Sequence, residues 1–212
     1  MSQNTPKACD LLIEAGHVVP VQPHATVLED HAVAVADGRS ATSGPRQQTR
    51  VPCQRARLVS RPGAALIPGL VNAHTHNPMT LLRGIADDLP LMTWLQEHIW
   101  PVEAAVIGPQ LVADGTRLAI AEMLRGGTTC ANENYFFPDV QAQVYAEHGF
   151  RALVGAVIID FPTAWASTSD EYFAKAEALR AQWQGHELIG VALAPHAPYT
   201  VSDANFERVA AM

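Results

Sequence analysis

His74 and His76, separated by one threonine, are the side chains in this sequence whose types and spacing best suit chemistry. In an extended strand, residues i and i+2 project to the same face, with Cα atoms about 7 Å apart. Two imidazoles so placed converge on one divalent ion, and imidazole suits Zn²⁺, Fe²⁺ or Ni²⁺. With nine histidines in 212 residues, chance alone supplies about 0.4 such pairs, so the pair needs a setting. That setting is an apolar run from Leu66 to Val71, punctuated by Pro68-Gly69, then the small residues Asn72, Ala73 and Thr75. It places both histidines at the C-terminal end of a strand, where parallel α/β sheets and barrels carry their sites. On the residues alone, a metal centre and a pair of hydrogen-bonded structural histidines both fit.

The elements that must hold this pair fall into two regions. Residues 1–65 carry short β-like runs, Leu11-Leu12-Ile13, Val18-Val19 and Ala32 to Val35, broken by Gly16, Pro20, Pro23 and the turn Asp37-Gly38. Residues 40–57 are polar and lack periodicity, so irregular loop and short strands are expected there. This region reads as a small β lobe. From Leu66 onward strands and helices alternate. Helices are expected in two pieces within 79–100, then at 109–125, before Gly149, and at 169–183. The face of 109–125 formed by Leu111, Leu118, Ala121 and Leu124 is expected to be buried, with Gly126-Gly127 ending the helix. Strands are expected at 128–131, 152–160 and 189–194, and Ser202 is placed to cap a last helix.

Such alternation defines an α/β protein with a parallel sheet, either open or closed into a (β/α)₈ barrel. Residues 66–212 hold four strand–helix units, whereas a barrel needs eight and typically about 250 residues. The expected fold is therefore the first half of a TIM-type barrel preceded by a small β lobe. The chain also stops inside a helix, as a piece of a longer protein would.

Composition narrows the partners. Lys and Arg number 14 against 21 Asp and Glu, a formal net charge of −7. That balance speaks against nucleic acid or an anionic membrane, which need clustered basic charge. No apolar run is long enough to span a bilayer, and the N-terminus lacks a signal-peptide layout. Cys9, Cys53 and Cys130 are odd in number and widely spaced, so three reduced thiols in a cytoplasmic protein are expected.

The stretch Leu66-Ile67-Pro68-Gly69-Leu70-Val71-Asn72-Ala73-His74-Thr75-His76, continuing to Arg83-Gly84, closely resembles the first barrel strand of the amidohydrolase superfamily. It is most similar to the 5-methylthioadenosine/S-adenosylhomocysteine deaminases and their triazine-hydrolase relatives. The resemblance continues through Asp87-Asp88-Leu89-Pro90-Leu91-Met92-Thr93-Trp94-Leu95, Trp100-Pro101-Val102-Glu103 and Ala194-Pro195-His196-Ala197-Pro198-Tyr199, and so covers essentially the whole chain. It implies that His74 and His76 bind one divalent metal ion, Zn²⁺ first among the candidates and Fe²⁺ or Ni²⁺ after it. It implies that Glu103 accepts hydrogen bonds from the ribose 2′- and 3′-hydroxyls, since one ionised carboxylate can take both and so selects a cis-diol. It implies that His196 contacts the substrate, and that Trp94 forms an apolar wall near its 5′ side. Without the resemblance, Glu103 reads as a first-turn helix carboxylate, and His196 and Trp94 read as core residues. Asp87 and Asp88 read first as cap or surface charges and second as site residues, and so does the run Asn132-Glu133-Asn134, whose alternative is site lining at the end of the second strand.

The implied activity is metal-dependent hydrolytic deamination of a small-molecule nucleoside: 5′-methylthioadenosine, adenosine or S-adenosylhomocysteine. The family's further metal ligands and its proton shuttle lie on later strands, so no catalytic acid or base is assigned within this chain. These 212 residues alone are expected to be inactive. Relatives that take S-adenosylhomocysteine meet its carboxylate with arginines on and after the third strand. Here Ala156 and the cation-free loop Phe161 to Ala166 stand there, which favours the two neutral substrates. Guanine, 8-oxoguanine or a chlorotriazine is the alternative substrate class, and a non-catalytic scaffold a further alternative. Oligomeric state stays open, a homo-oligomer included.

Overall fold

The structure is a computed structural model that describes residues 9–50, 53 and 57–212. The chain divides into two compact units, Met1–Pro68 and Gly69–Met212.

In the first unit, strand β1 (Leu11–Val18) is flanked by β3 (His31–Ala36), antiparallel, and by β5 (Arg57–Leu66), parallel. The short β2 (Leu28–Glu29) pairs with the end of β1, and β4 (Arg39–Pro45) extends the sheet beyond β3. Period-2 alternation is visible in β3, where Ala32, Ala34 and Ala36 are buried and the intervening residues are not. The β3–β4 hairpin turns on Asp37 and Gly38, both at positive φ (52° and 71°). Two-residue hairpins favour that geometry because it matches strand twist.

Two departures from expectation occur in this unit. The short strand expected within 40–57 is present as β4, but the short helix α1 (Arg46–Arg50) follows it where loop is expected. Pairing with β3 supplies the order that periodicity could not show; residues 51, 52 and 54–56 lie outside the described residues. Cys9 and Cys53 are not separate thiols but a disulfide, with Cα atoms 5.3 Å apart. Parallel pairing of Leu11 with Arg57 brings the segments ahead of both strands together, a juxtaposition that a sequence separation of 44 conceals. Cys130 is free. Among the described residues, no helix is long and apolar enough to cross a membrane.

Glu14, 1% exposed, pairs through both carboxylate oxygens with Arg50, one contact being 2.9 Å. The Arg50 hydrogen bond outweighs burial and holds the carboxyl below its ordinary pKa. Because the folded pKa is lowered, the pair's stabilisation is present above the ordinary glutamate range and lost as pH falls through the folded pKa. Glu14→Gln is expected to cost about 1–3 kcal/mol at neutral pH, discounted because Arg50 is half exposed. Thermal melts against pH should show that difference shrinking below about pH 4.5.

The second unit is a four-stranded parallel sheet in the order β6 (Leu70–Thr75), β7 (Thr128–Tyr135), β8 (Arg151–Ile158), β9 (Ile189–Pro195). Helices α4 (Pro109–Arg125), α5 (Pro138–Glu147) and α6 (Ser169–Trp183) make the crossovers, and α7 (Asp203–Ala211) follows β9. Sequential strand neighbours joined by helices are the repeating unit of a (β/α)₈ barrel. One sheet face packs on the helices: Val154, Ala156 and Ile158 of β8 are fully buried there with Tyr145, Tyr172 and Phe173. The opposite face is open, with Leu153 at 40% and Val71 at 64% exposure.

Helix α4 forms where expected but turns the other way. Leu118 and Leu124 are exposed, while Val112, Ala113, Gly115, Thr116, Ala119 and Ile120 are buried. Small residues win because the 3₁₀ turn Asn77–Leu82 lies against the helix. A Cβ on Gly115 would sit 2.5 Å from the Pro78 carbonyl oxygen. Gly127, at φ 85°, ends the helix as expected. Ser202 stands at the N-cap of α7, but its side chain makes no capping bond. The Asp160 carboxylate instead accepts from the Ser202 N–H at 2.7 Å.

Between the 3₁₀ turn and α4 runs one helical segment of three parts: α2 (Leu91–Thr93), a π-type stretch Trp94–Ile99, and α3 (Trp100–Val106). Pro101 has no N–H to donate, and the wider turn, with Trp100 N–H bonded to the Leu95 carbonyl, accommodates it. This segment carries Trp94 and Glu103.

Candidate active site

His74 is near the end of β6 and exposed; His76 lies one residue past it and is half buried. Their rings meet edge to face with centroids 4.9 Å apart. His76 Nδ1 is bonded to the Asn134 carbonyl oxygen, an acceptor only. The proton therefore sits on Nδ1, and Nε2 keeps its lone pair. Burial lowers the His76 pKa, against the Asn134 bond and with help from His74. The neutral ring is the form that binds a metal, so this pair suits a divalent cation. Among the described residues no group of three His, Cys, Asp or Glu side chains converges. A catalytic zinc takes three protein ligands as a rule, and His74 and His76 would account for two of them.

A cavity of about 590 Å³ opens over the C-terminal ends of the strands, and His76, Trp94, Glu103 and His196 all line it. Four residues far apart in sequence thus share one wall. His74 is not in that wall but stands beside His76. The remaining lining is largely apolar, including Leu95, Ile99, Trp100, Val157, Ile159 and Phe161, and contains no Lys or Arg.

Glu103 is on α3, and the Tyr135 hydroxyl at the end of β7 donates to its Oε1. Burial raises the Glu103 pKa, opposed by that hydrogen bond. Burial also raises the Tyr135 pKa, and the neighbouring Glu103 adds to it, so the phenol stays a donor. Oε2 of Glu103 is left for other donors. Trp94 spends its indole N–H on the Ala86 carbonyl at 3.1 Å and turns an apolar ring to the cavity.

His196 follows β9 directly, its N–H bonded to the Ile158 carbonyl at 3.1 Å. Its Nδ1 is 3.0 Å from Thr200 Oγ1, whose proton goes to the Ala197 carbonyl at 3.1 Å. Nδ1 is therefore the donor, and Nε2 is an acceptor. Burial lowers the His196 pKa, with smaller contributions from His76 and His74.

Ala156 does not occupy the place assigned to it from sequence. It is fully buried on the helix side of β8, and the residues of that strand and its exit that line the cavity are Val157 and Ile159. Both are apolar, so the cavity wall is still without a cation there.

Three further residues at the end of β7 bear on the site: the sequence does not single out Tyr135, while Glu133 and Asn134 belong to the run for which site lining is the alternative reading. Asn134 and Tyr135 line the cavity and hold His76 and Glu103. Glu133, 0% exposed, has its carboxyl pushed by burial up to about 7, against hydrogen bonds from Tyr145, Asn77 and Asn134. A carboxylate between two amides at the end of an apolar strand was the available signal.

Fold and site together define a class: the chain belongs to the amidohydrolase family, whose model matches residues 65–212. Among curated proteins it is 46% identical to 5-methylthioadenosine/S-adenosylhomocysteine deaminase of Teredinibacter turnerae, over 95% of this chain and 46% of that protein. It is 41% identical to the protein of the same name from Saccharophagus degradans, over 100% of this chain and 47% of that one. An adenosine deaminase from Xanthomonas campestris, solved with bound zinc, is 73% identical with a TM-score of 0.94, covering 98% of this chain and 47% of that chain. Atrazine chlorohydrolase from Arthrobacter aurescens shares the fold at 20% identity, with a TM-score of 0.85 over 95% of this chain and 50% of that one. The chain therefore spans about half the length of the proteins it matches.

Proposed function

We propose that this chain supplies the metal-binding and ribose-binding half of a zinc-dependent hydrolase that deaminates adenosine-type nucleosides. The observation that carries the reading is the shared cavity. His76 with a free Nε2, His196 and the Glu103 carboxylate face one largely apolar space, with His74 beside His76. The relatives named as deaminases, and the zinc-bound adenosine deaminase at 73% identity, support the same reaction.

His74 and His76 would hold the ion, with remaining ligands from strands beyond this chain. When bound, zinc supplies Lewis acidity and makes water a competent nucleophile near neutral pH. Glu103, steadied by Tyr135, accepts hydrogen bonds from the two ribose hydroxyls and fixes the nucleoside's position in the cavity. His196 presents Nε2 to the substrate, and Trp94 with the apolar loop excludes water from its 5′ side. A wall without Lys or Arg suits a neutral 5′ substituent, so methylthioadenosine and adenosine are preferred over S-adenosylhomocysteine.

The test is ammonia release by the full-length protein from these three nucleosides, with guanine, 8-oxoguanine and a chlorotriazine alongside. The neutral nucleosides are expected to lead in kcat/KM. Preference for S-adenosylhomocysteine would refute the specificity, and preference for a free base or triazine would refute the nucleoside reading.

A further inference from the structure

We infer that Glu133 is a positioning residue for His76, acting from beneath the cavity as a single clamp on both structures that orient the ring. The inference rests on reading His76 as a metal ligand. Glu133 is fully buried and pairs, within the parallel ladder, opposite Thr75 at the end of β6. Its carboxylate accepts from the Asn77 N–H through both oxygens, at 3.2 and 3.1 Å. Asn77 is the residue immediately after His76. The same carboxylate accepts from the Asn134 N–H at 3.1 Å. Asn134 is the residue whose carbonyl takes the His76 Nδ1 proton. One side chain therefore holds the peptide that follows the histidine and the N–H of the residue whose carbonyl sets its tautomer.

The rest of the network tightens this clamp. Tyr145 donates its hydroxyl to the second Glu133 oxygen at 2.8 Å and accepts from the Asn77 side-chain amide. The Thr75 hydroxyl donates to Asn77 Oδ1 at 2.7 Å. Asn77 is 4% exposed, and Pro78 after it is locked against Gly115. A buried acceptor ringed by donors costs free energy if any donor loses its partner. The backbone on either side of the ring thus has one low-energy arrangement. Groups that orient a ligating histidine tune its affinity for metal without touching the ion.

Two substitutions separate positioning from packing. Gln has nearly the volume of Glu but turns an N–H₂ toward groups that are themselves donors. Asp keeps the acceptor charge but leaves a void of one methylene. If Glu133 only fills space, Glu133→Gln should behave better than Glu133→Asp in every respect. If it positions His76, Glu133→Asp should melt at a lower temperature yet bind zinc more tightly than Glu133→Gln. The measurement is zinc affinity of the metal-free full-length protein in competition with a chromophoric chelator, with melting of the metal-free form in parallel.

Glu133→Gln is expected to weaken zinc binding by roughly 10–100-fold, with Glu133→Asp recovering part of that loss. Zinc affinity of Glu133→Gln equal to wild type, or Glu133→Asp weaker than Glu133→Gln, would overturn the inference. Should Glu133→Gln fail to fold, Tyr145→Phe removes one donor and keeps the carboxylate. A several-fold loss of zinc affinity supports the clamp, and no loss overturns it. Wild-type protein that binds no zinc would instead overturn the metal reading of His76, and the clamp with it.

Discussion

His76→Ala in the full-length protein is expected to abolish stoichiometric zinc and lower kcat/KM by at least ~10³-fold, because in the proposed reaction a bound ion would supply the activated water. His76 is half buried, its Nδ1 proton is already committed to the Asn134 carbonyl, and burial keeps the ring neutral. Its Nε2 therefore needs neither reorientation nor deprotonation to accept a cation. Alanine removes the ligand and leaves the Asn134 carbonyl without its donor, so a modest loss of stability should accompany the loss of metal. Elemental analysis of purified wild-type and variant protein, read beside circular dichroism, separates the two effects. Retained zinc with retained activity would show that the pair is structural, the bland reading that the bare His-x-His spacing allows.

Glu103→Ala is expected to act on one part of the substrate only. Two charge-assisted hydrogen bonds to a cis-diol contribute about 3 kcal/mol together, or roughly 10²-fold in KM for nucleosides. A free purine base has no ribose, so its KM should change little. Burial raises the Glu103 pKa despite the Tyr135 hydrogen bond, which gives the prediction a pH signature. A protonated carboxyl loses acceptor capacity, so nucleoside KM should rise as pH falls through the Glu103 pKa. That rise should begin at a higher pH than for an ordinary glutamate, and it should be absent in Glu103→Ala. Steady-state kinetics on adenosine and adenine across this range checks both parts. Equal losses for nucleoside and base would remove Glu103 from ribose recognition.

Much of this arrangement is legible in the chain itself. The His74-Thr75-His76 spacing, behind an apolar run, places two imidazoles at a strand end before any fold is known. Strand–helix alternation from Leu66 indicates a parallel sheet, and strands at 128–131 and 189–194 match β7 and β9 closely enough to put His196 at the same end. The resemblance adds Glu103 and Trp94, whose local context does not separate them from helix-surface and packing residues. The failures are of a different kind. Apolar size does not reveal the buried face of α4, because close approach of the 3₁₀ turn at Pro78 rewards Gly115 and Ala119 over Leu118. The Cys9–Cys53 pair was missed because register between β1 and β5, not spacing, brings the two together.

What the sequence determined, then, is the inventory and its direction: which side chains can bind a cation, and that they sit at the C-terminal ends of strands. These follow from local rules, two-residue periodicity in strands and the turn chemistry that ends them. Tertiary structure alone decided which nitrogen of His76 is free, that Tyr135 steadies Glu103, that Val157 and not Ala156 faces the cavity, and that Glu133 stands beneath the site. All but the Tyr135–Glu103 contact, which joins β7 to a helix, depend on parallel register between strands tens of residues apart, where a slip of one residue exchanges the two faces of the sheet. No local pattern encodes that register, because the packing of all four strands and their helices sets it at once.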